Sequence, residues 1–501
     1  MKKILLFGAG KSSTVLIDYL LEHASKDKFQ LIIVDANFEL AKSKIGDSPN
    51  GIAESFDIKN NESRRNSISS SDVVISLLPP DLHFIVAEDC VKYSKNLLTA
   101  SYVDDQIKSL ISAINDKDVL FLCEMGLDPG IDHMSAMKLI NEIRNRGEKI
   151  ISFKSHCGGL VAPESDDNPW HYKISWNPRN IVLAGKAGAF YREYGQEIQI
   201  QYEQLFASDR QIEIDELGSL SWYPNRDSLS YLPIYGLEDV ETFIRTTLRH
   251  PDFMYGWKNL IDLKLTDETP QYRLEGKSLS DFFKEHLDKN GFSDWLQQKL
   301  MERFSQTKSL LEELVKLQKA EEESPQGFEG ASDHLMRVDK KGQLENLTMD
   351  EIKEKAAGVM AHKMHEANLT LKQLYYLGMG DNDTKIKKEI CSPADVLQIA
   401  LEKKLSLQAG DKDMIVMMHE IEYASKNKRS VLNSTLIVKG EDHIRTAMAK
   451  TVGLPLGIAT RLVLNGKINM KGLQIPIHKE IYEPVLAELE LYGITFRDNI
   501  K

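Results

Sequence analysis

The sequence predicts an α/β fold that combines a doubly wound domain of parallel strands with an α+β domain and a helical subdomain. Over the first 125 residues, short apolar runs rich in β-branched residues alternate with longer amphipathic stretches. That alternation is typical of a parallel sheet covered by helices on both faces. Strand-like runs return near residue 150 and again near residue 414, whereas helical spacing marks the region from about 279 to 375. The chain has 501 residues, which is enough for about three domains.

Domain boundaries follow these changes of pattern. Residues 1–125 form the doubly wound domain, and the C-terminal segment from about 445 to 501 is expected to pack back onto it. The α+β domain takes 126–278 and about 376–444, and we assign to it the substrate and the contacts of a homodimer, if one forms. The helical subdomain takes 279–375.

Within the helical subdomain, Leu296, Leu300 and Phe304 recur at helical spacing, which indicates a buried helix face. A Ser-Pro-Gln-Gly sequence interrupts the pattern and predicts a mobile surface loop near 324–343. We interpret the apolar residues of this region as core.

Composition excludes several classes of protein. Hydrophobic residues make up 42% and charged residues 28% of the chain, and no apolar run approaches the roughly 20 residues that span a membrane. A net charge of −12 argues against nucleic acid and anionic membranes as partners. Four scattered cysteines predict neither a disulfide framework nor a metal site. The apolar stretch after the first residues is too short for a signal peptide, so we expect a cytoplasmic protein.

Six strands are expected in the first domain, each an apolar run of four to six residues. They are Lys3 to Phe7, Leu31 to Val34, Glu54 to Asp57, Val73 to Leu78, Leu97 to Ala100 and Val119 to Leu122. An amphipathic helix separates the first two strands, which gives a first βαβ unit.

A glycine-containing turn follows the first strand and opens the first helix. Gly8 allows the tight turn, and Gly10 lets the backbone approach phosphates, which the helix N-terminus then favours. Ser13 stands where the third glycine of the usual fingerprint would be, so the turn alone is a weak indication. Asp35 follows the second strand, where an acidic residue binds the hydroxyls of the adenosine ribose. Turn and acid together predict a Rossmann dinucleotide-binding domain.

The cofactor predicted from this site is NAD, with NADP as the alternative. After the second strand the chain reads Asp35-Ala36-Asn37. A carboxylate at this point accepts ribose hydroxyls but repels a 2′-phosphate, and Ala36 supplies no compensating guanidinium. Lys11 or Lys42 could neutralise a 2′-phosphate, which keeps NADP open.

Chemistry-bearing residues follow the later strands, whose carboxyl ends line the ligand crevice of such a sheet. Ser101 and Tyr102 follow the fifth strand, and Asp128 lies in a Gly-Leu-Asp-Pro-Gly turn after the sixth. Two glycines and a proline fix the backbone on both sides of that carboxylate, which is unusual for a plain connection. Further along, a strand over 150–156 leads into small and polar residues from Cys157, which we interpret as a loop able to lie close to a ligand.

Seven segments stand out along the chain. They are SLLPPDLH (76–83), TASYV (99–103), EMGLDPGIDH (124–133), CGGLVAPESDDNP (157–169), YKISW (172–176), YPNRDS (223–228) and IRTTLR (244–249). Together with residues 446–468 they resemble the glutamate-forming saccharopine dehydrogenases, also called saccharopine reductases. The resemblance covers most of the chain, although the helical middle from about 290 to 375 matches poorly.

The resemblance implies reversible NAD(P)-dependent oxidation of saccharopine to L-glutamate and 2-aminoadipate 6-semialdehyde, in lysine metabolism. It implies substrate contacts at Ser101, Tyr102, Asp128, Arg226, Thr247, Leu248 and Arg249. It implies cofactor contacts at Gly8, Gly10, Lys11, Ser12, Ser13, Asp35, Ala36, Asn37, Asp57, Ile58, Pro79, Ala100, Ser101, Leu127, Asp128, Pro129 and Asn177. Saccharopine carries three carboxylates, for which the guanidinium groups of Arg226 and Arg249 are suitable partners.

Three side chains are candidates for the proton transfers of this reaction: Tyr102, Asp128 and Cys157. Each has a structural alternative, since Cys157 could be a small buried residue, Tyr102 a core tyrosine and Asp128 a turn-forming residue. His133 and His156 are further proton carriers by chemistry, although a histidine on a helix or strand is more often structural.

Two other functions stay open from the sequence. A related amine-semialdehyde reductase of the carboxyspermidine dehydrogenase type would keep the first domain but need fewer carboxylate-binding arginines. A nucleotide-sensing protein would bind the cofactor without turnover. The two arginines argue against the first, and retention of the three proton-transfer candidates argues against the second.

Overall fold

The computed structural model describes residues 1–207, 209–294, 368–425 and 428–500, with the short stretches 336–338 and 344–346 and isolated positions between 298 and 366. The chain divides into two compact units. The first contains 1–251 and 405–501, and the second contains 252–404.

Twenty-one strands are defined in the described residues. They are β1 Lys2–Phe7, β2 Phe29–Val34, β3 Gly51–Glu54, β4 Val73–Ser76, β5 Asn96–Thr99, β6 Leu120–Leu122, β7 Lys149–Val161, β8 Ala189–Glu193, β9 Gln196–Ile200, β10 Gln211–Ile214, β11 Gly218–Pro224, β12 Arg226–Asp227, β13 Thr242–Arg249, β14 Tyr272–Arg273, β15 Met336–Val338, β16 Leu344–Asn346, β17 Ile390–Cys391, β18 Asp413–Ser425, β19 Lys428–Lys439, β20 Gly472–Gln474 and β21 Arg497–Ile500.

The principal helices alternate with these strands. They are α1 Thr14–Asp27, α2 Phe38–Ile45, α3 Asn61–Ser69, α4 His83–Lys92, α5 Asp105–Ser109, α6 Ile111–Asp116, α7 Ile131–Asn145, α8 Pro178–Val182, α9 Tyr202–Leu205, α10 Leu232–Tyr235, α11 Pro251–Asp262, α12 Leu279–Lys289, α13 Pro393–Lys404, α14 Ala447–Leu464 and α15 Lys479–Leu491.

A seven-stranded parallel sheet occupies the N-terminal part of the first unit, in the order β20-β6-β5-β4-β1-β2-β3. Six of its strands have the doubly wound order of a dinucleotide-binding domain, which confirms the predicted fold class. The seventh, β20, comes from the C-terminal segment and pairs with β6, so that segment does pack back onto the first domain. Strands β1 and β4 are buried on both faces, which explains their uninterrupted apolar sequences.

One of the six expected strands is misplaced. We predicted Glu54 to Asp57, whereas β3 runs from Gly51 to Glu54 and pairs with β2 from Leu31 to Val34. As an edge strand β3 is only partly buried, so it lacks the continuous apolar run that marks the inner strands. The other five predictions agree with the structure to within two residues at either end.

The second sheet of this unit has ten strands, with the main path β10-β11-β13-β7-β18-β19-β21. Its central strand β7 continues to Val161, so the prediction of a loop from Cys157 is wrong. The strand persists because its small residues permit close packing. A Cβ on Gly158 would lie 2.7 Å from the Cβ of Leu248, and one on Gly159 would lie 2.9 Å from the Cε of Met448.

Helix α14 is long and apolar enough to cross a membrane by length and composition, and 72% of it is buried inside the protein. It packs against α1 at close range, since a Cβ on Gly453 would lie 2.7 Å from the backbone nitrogen of Leu16. A buried core helix has this same apolar character, which explains the length of its apolar sequence.

The second unit is larger than the predicted helical subdomain. Strands β14 and β17 pair through Tyr272 and Cys391, which brings residues on both sides of 279–375 into this unit. Residues 252–278 and 376–404, which we assigned to the α+β domain, therefore belong here. Most of the expected loop near 324–343 lies outside the described residues, as do Leu296, Leu300 and Phe304.

Candidate active site and cofactor cradle

The turn after β1 has the backbone geometry of a phosphate cradle. Gly8 has a φ of +102°, and a Cβ there would lie 2.7 Å from the carbonyl oxygen of Leu77. Ser13, at the place of the third glycine, donates its hydroxyl to the carbonyl of Gly10 at 2.9 Å and so closes the turn. The first backbone N–H groups of the helix have no intrahelical acceptor, as anion binding requires. These residues fit the diphosphate of a dinucleotide.

Asp35 lies at the end of β2 and faces this turn. Its carboxylate accepts hydrogen bonds from the backbone N–H of Ala9 at 2.7 Å and of Asn37 at 2.9 Å. The carboxylate is therefore fixed beside the phosphate turn, where adenosine ribose hydroxyls lie in this fold. Ala36 and Asn37 are exposed beside it, and Asn37 caps α2.

A lysine that the sequence analysis did not single out contacts this turn. Lys44 donates its Nζ to the carbonyl of Gly10 and, at 2.9 Å, to the hydroxyl of Thr14. Burial lowers the pKa of Lys44 to about 8, against the attraction of Asp18 and Asp35. Lys11 and Lys42, which we considered as phosphate partners, are both exposed.

A cluster of charged side chains lies where β5 and β6 end. Asp128 accepts a hydrogen bond from the hydroxyl of Tyr102 at 3.0 Å and from the Nη2 of Arg245 at 2.6 Å. The same Nη2 donates to Asp132 at 2.8 Å. Two carboxylates thus share one guanidinium, and we call Tyr102, Asp128, Asp132 and Arg245 the carboxylate cluster.

The backbone of the predicted Gly-Leu-Asp-Pro-Gly turn holds Asp128 in place. Gly126 N–H donates to the carbonyl of Pro129 at 2.9 Å, and Ile131 N–H donates back to the carbonyl of Gly126 at 2.9 Å. Gly130 has a φ of +148°, and a Cβ there would lie 2.0 Å from the carbonyl oxygen of Gly126. Only glycine fits this position, so the turn presents the Asp128 carboxylate from a rigid backbone.

The two carboxylates of the cluster differ in acidity. Burial raises the pKa of Asp128 above its usual value and outweighs the opposing charge of Arg245. Burial acts in the same direction on Asp132, but His133, Arg245 and the Gly130 N–H together bring the pKa of Asp132 below its usual value. A proton entering the cluster therefore binds to Asp128, which also contacts Tyr102.

A second layer of buried groups supports the cluster. His133 contacts Glu124 at 2.8 Å through Nε2 and the hydroxyl of Tyr235 at 2.5 Å through Nδ1. Glu124 also accepts from the hydroxyl of Tyr231, whose ring lies 4.4 Å below the guanidinium carbon of Arg245. His133 therefore holds the supporting side chains and does not contact Asp128 directly.

Cys157 is a buried thiol near the cluster. Burial raises its pKa well above the usual value, and the charges of Asp128 and Asp132 add to this rise. The neutral thiol is therefore its resting form, which makes it a poor base. In the strand register Cys157 pairs with Thr247, so β7 carries the thiol beside the IRTTLR strand.

The two predicted carboxylate-binding arginines lie in different environments. Arg249 is buried, donates to the carbonyl of Leu248 at 2.9 Å and lies over the ring of Tyr172 at 5.4 Å. Arg226 is exposed, with its guanidinium carbon 5.2 Å from the centre of the Tyr102 ring. Arg226 therefore stands over the outer side of the carboxylate cluster.

Two residues predicted to contact ligands do not have their side chains placed in the crevice by the structure. Leu248 is wholly buried in the core with Trp222 and Ile244, because successive residues of β13 face opposite sides of the sheet. Any contact of Leu248 with substrate is limited to its backbone. Asn177 is exposed and caps α8 through Arg179 N–H, so its predicted cofactor contact stays a prediction.

The remaining predicted cofactor residues follow parallel strands, on the expected edge of the sheet. Asp57 and Ile58 come after β3, Pro79 after β4, and Ala100 after β5. The Cβ of Ala100 would meet a Cβ on Gly126 at 3.0 Å, so the two turns pack together. Their positions agree with the crevice of a doubly wound sheet.

Three histidines are buried as neutral rings in this unit, and we expect them to make the fold sensitive to acid. Burial lowers the pKa of His83 and His419 to about 4 and that of His156 to about 3. An unfolded histidine titrates near 6.5, so the unfolded state binds more protons as the pH falls below that value. The free energy of unfolding should then drop by up to roughly 4 kcal/mol per pH unit near pH 5.

Urea unfolding between pH 7.5 and 4.5 measures this slope. His419→Gln keeps a partner for the Ser135 hydroxyl, which lies 2.7 Å from the ring, but removes the titration. It should reduce the slope by about 1 kcal/mol per pH unit. An unchanged slope would show that His419 does not contribute.

Comparison of the chain with models of known protein families identifies its family. The model of the saccharopine dehydrogenase NADP binding domain matches residues 4–122, and that of the saccharopine dehydrogenase C-terminal domain matches residues 126–494. The chain belongs to the saccharopine dehydrogenase family. Family membership confirms the resemblance found in the sequence and makes the protein an oxidoreductase with a nicotinamide cofactor.

Individual relatives match over the whole chain. The saccharopine dehydrogenase [NADP(+), L-glutamate-forming] of Schizosaccharomyces pombe is 29% identical to this chain. The aligned region covers 100% of this chain and 99% of the relative. The alpha-aminoadipic semialdehyde synthase of Arabidopsis thaliana is 31% identical over 94% of this chain, which spans only 41% of that longer protein. Among solved structures, apo saccharopine dehydrogenase (L-Glu forming) from Saccharomyces cerevisiae matches with a TM-score of 0.77, at 26% identity and 100% coverage of both chains.

The candidate site contains charged residues that the sequence analysis did not assign. Arg245 lies inside the IRTTLR segment but was passed over in favour of Arg249. Asp132 and Glu124 lie within EMGLDPGIDH and were not assigned roles. The hydrogen bond from Arg245 to Asp128 is visible only in the folded protein. A usable indication was that Arg245 lies two residues from Thr247 in β13, so both side chains face the same side of the sheet.

Proposed function

We propose that this protein is a glutamate-forming saccharopine dehydrogenase. It oxidises the secondary amine of saccharopine and releases L-glutamate and 2-aminoadipate 6-semialdehyde. The observation that carries the proposal is the meeting of Asp128, Tyr102 and Arg245 at the carboxyl edge of the parallel sheet, where the nicotinamide ring lies in this fold. The end-to-end match to fungal relatives named for this reaction supports it.

The chemistry divides between cofactor and protein. The nicotinamide, when bound, accepts a hydride from the carbon of the C–N bond. The chain must remove a proton from the secondary ammonium of the substrate, and then move protons while water adds to the resulting imine and the C–N bond breaks. Asp128 suits both tasks, since its raised pKa lets it take and return a proton. Tyr102 orients the carboxylate by donating to it.

Arginines suit the three carboxylates of saccharopine. Arg245 is occupied by Asp128 and Asp132, so it fixes the carboxylate cluster and leaves substrate carboxylates to other groups. Of the two candidates for these carboxylates, Arg249 is buried and Arg226 is exposed. A buried guanidinium binds a carboxylate more strongly than an exposed one, because water competes less.

Turnover with defined substrates tests the proposal. Purified protein incubated with saccharopine and either NAD or NADP should produce reduced nicotinamide, detected by absorbance, together with glutamate. Turnover of another amine-semialdehyde conjugate in preference to saccharopine would favour the related reductase. Cofactor binding without turnover of any such substrate would favour a nucleotide sensor.

Cofactor choice is a separate prediction. We expect kcat/KM to be at least about tenfold higher with NAD than with NADP, because the fixed Asp35 carboxylate repels a 2′-phosphate and Ala36 offers no guanidinium. The fungal relatives are named for NADP, so this chain would differ from them. Initial rates at matched concentrations measure the ratio.

A matched pair of variants tests the cause. Asp35→Ala combined with Ala36→Arg should reverse the preference. Lys117→Ala should leave it unchanged, since the exposed Lys117 precedes β6, near the opposite edge of the sheet. A kcat/KM for NADP equal to or above that for NAD in the unsubstituted protein would show that Asp35 does not decide the choice.

A further inference from the structure

The two ends of the SLLPPDLH segment meet in space, around a residue of the crevice. Ser76 is the last residue of β4 and His83 the first of α4. The Nδ1 of His83 lies 2.8 Å from the Ser76 hydroxyl, and its Nε2 lies 2.7 Å from the Ser101 hydroxyl. Ser76 and His83 are buried, whereas Ser101 is half-buried at the carboxyl end of β5. A single imidazole thus joins the ends of two neighbouring parallel strands.

The backbone of Ser101 is already held by other groups. Its N–H donates to the hydroxyl of Thr99 at 3.2 Å, and its carbonyl accepts from the N–H of Glu124 at 3.0 Å. The hydroxyl is therefore the group of Ser101 left to contact a ligand in the crevice. The direction of its O–H bond depends on whether His83 donates a hydrogen bond to it or accepts one from it.

The protonation of His83 fixes that direction. Burial lowers the pKa of His83 to about 4, against the charges of Asp104 and Asp81, so the ring is neutral near pH 7. A neutral imidazole has one donor and one acceptor nitrogen, so the two serines take opposite roles. The structure describes no acceptor for the buried Ser76 hydroxyl other than Nδ1, so Ser76 donates to Nδ1. Nε2–H then donates to Ser101, whose own O–H is left to donate outwards.

We propose that His83 is a positioning residue that points the Ser101 hydroxyl at a carboxylate of the substrate, with Ser76 selecting the tautomer of the ring. This inference rests on the proposed function, because it needs a substrate with carboxylates in the crevice. A hydroxyl that receives a hydrogen bond from Nε2–H keeps its own O–H free to donate to a ligand. A substrate carboxylate is the acceptor that such a donor favours.

Two replacements of His83 separate its two hydrogen bonds. The amide of glutamine reaches the place of Nε2 and can donate to Ser101, whereas the amide of asparagine reaches only the place of Nδ1. His83→Asn should therefore raise the KM for saccharopine about tenfold, like Ser101→Ala, with kcat changed less than about threefold. His83→Gln should stay within about threefold of the unsubstituted protein. The Kd for the cofactor, measured by fluorescence, should change little in the two His83 variants.

The double variant decides whether the two residues act together. If His83 acts through Ser101, His83→Asn with Ser101→Ala should be no worse than about tenfold, since the second change removes nothing further. Effects that multiply to about a hundredfold would show independent roles and overturn the proposal. Equal losses in the asparagine and glutamine variants would also overturn it, because they would indicate a merely structural role.

A measurement without turnover keeps the proposal separate from the proposed function. In protein labelled with ¹⁵N-histidine, the signal lost in His83→Gln identifies the ring, and its shifts should show a proton on Nε2. A proton on Nδ1 would overturn the proposed direction whatever the substrate. Failure of the unsubstituted protein to turn over saccharopine would refute the proposed function and, with it, the role of Ser101 toward a substrate carboxylate.

Discussion

Replacing Arg245 with methionine is expected to abolish saccharopine turnover and to lower the free energy of unfolding by about 3–5 kcal/mol. The guanidinium donates to Asp128 and Asp132 from within the protein, with only 4% of its side chain exposed. Methionine would fill much of the same space but leave the two buried carboxylates without the guanidinium that they share. Urea unfolding and steady-state kinetics measure the two effects.

Two controls make the cause specific. Arg146→Met removes a partly exposed guanidinium paired with Glu148, and should cost less than about 1 kcal/mol with kinetics unchanged. Adding Asp128→Asn to Arg245→Met removes one of the stranded charges, so it should restore part of the stability but none of the activity. A single Arg245→Met variant as stable as the unsubstituted protein would contradict the assignment of this guanidinium as the counter-charge.

Arg249→Ala should lower kcat/KM for saccharopine by roughly 30- to 1,000-fold, which corresponds to about 2–4 kcal/mol. Arg249 is buried over Tyr172, so a substrate carboxylate bound there is shielded from water. Arg226→Ala should fall at the lower end of this range, because Arg226 is exposed and water competes for its guanidinium. Steady-state kinetics on both variants give the ratio.

The Kd for the cofactor separates substrate binding from general damage. It should stay nearly constant in both variants, and the exposed Arg146→Ala variant should match the unsubstituted protein in every parameter. A change of less than threefold in kcat/KM for either Arg226→Ala or Arg249→Ala would show that the arginine in question does not bind a substrate carboxylate.

Local features of the first domain were predictable because short-range physics fixes them. The turn from Gly8 to Ser13, the acid at Asp35 and the apolar inner strands follow from backbone sterics, helix-terminus electrostatics and burial of a parallel sheet. The edge strand β3 was misplaced because exposure on one side removes the apolar run. The CGGL segment was taken for a loop because its glycines serve close packing against Leu248 and Met448, which no local rule shows.

The sequence by itself determined the fold class, the cofactor-binding turn and the short list of Tyr102, Asp128 and Cys157 for proton transfer. Tertiary structure alone decided that Asp128 and Asp132 share Arg245, that Cys157 is a neutral buried thiol, and that His83 joins Ser76 to Ser101. The physical reason is the separation in sequence over which each interaction acts. Turn geometry and periodicity act between near neighbours, whereas charge sharing and desolvation depend on groups such as Asp128 and Arg245, which are 117 residues apart in the chain.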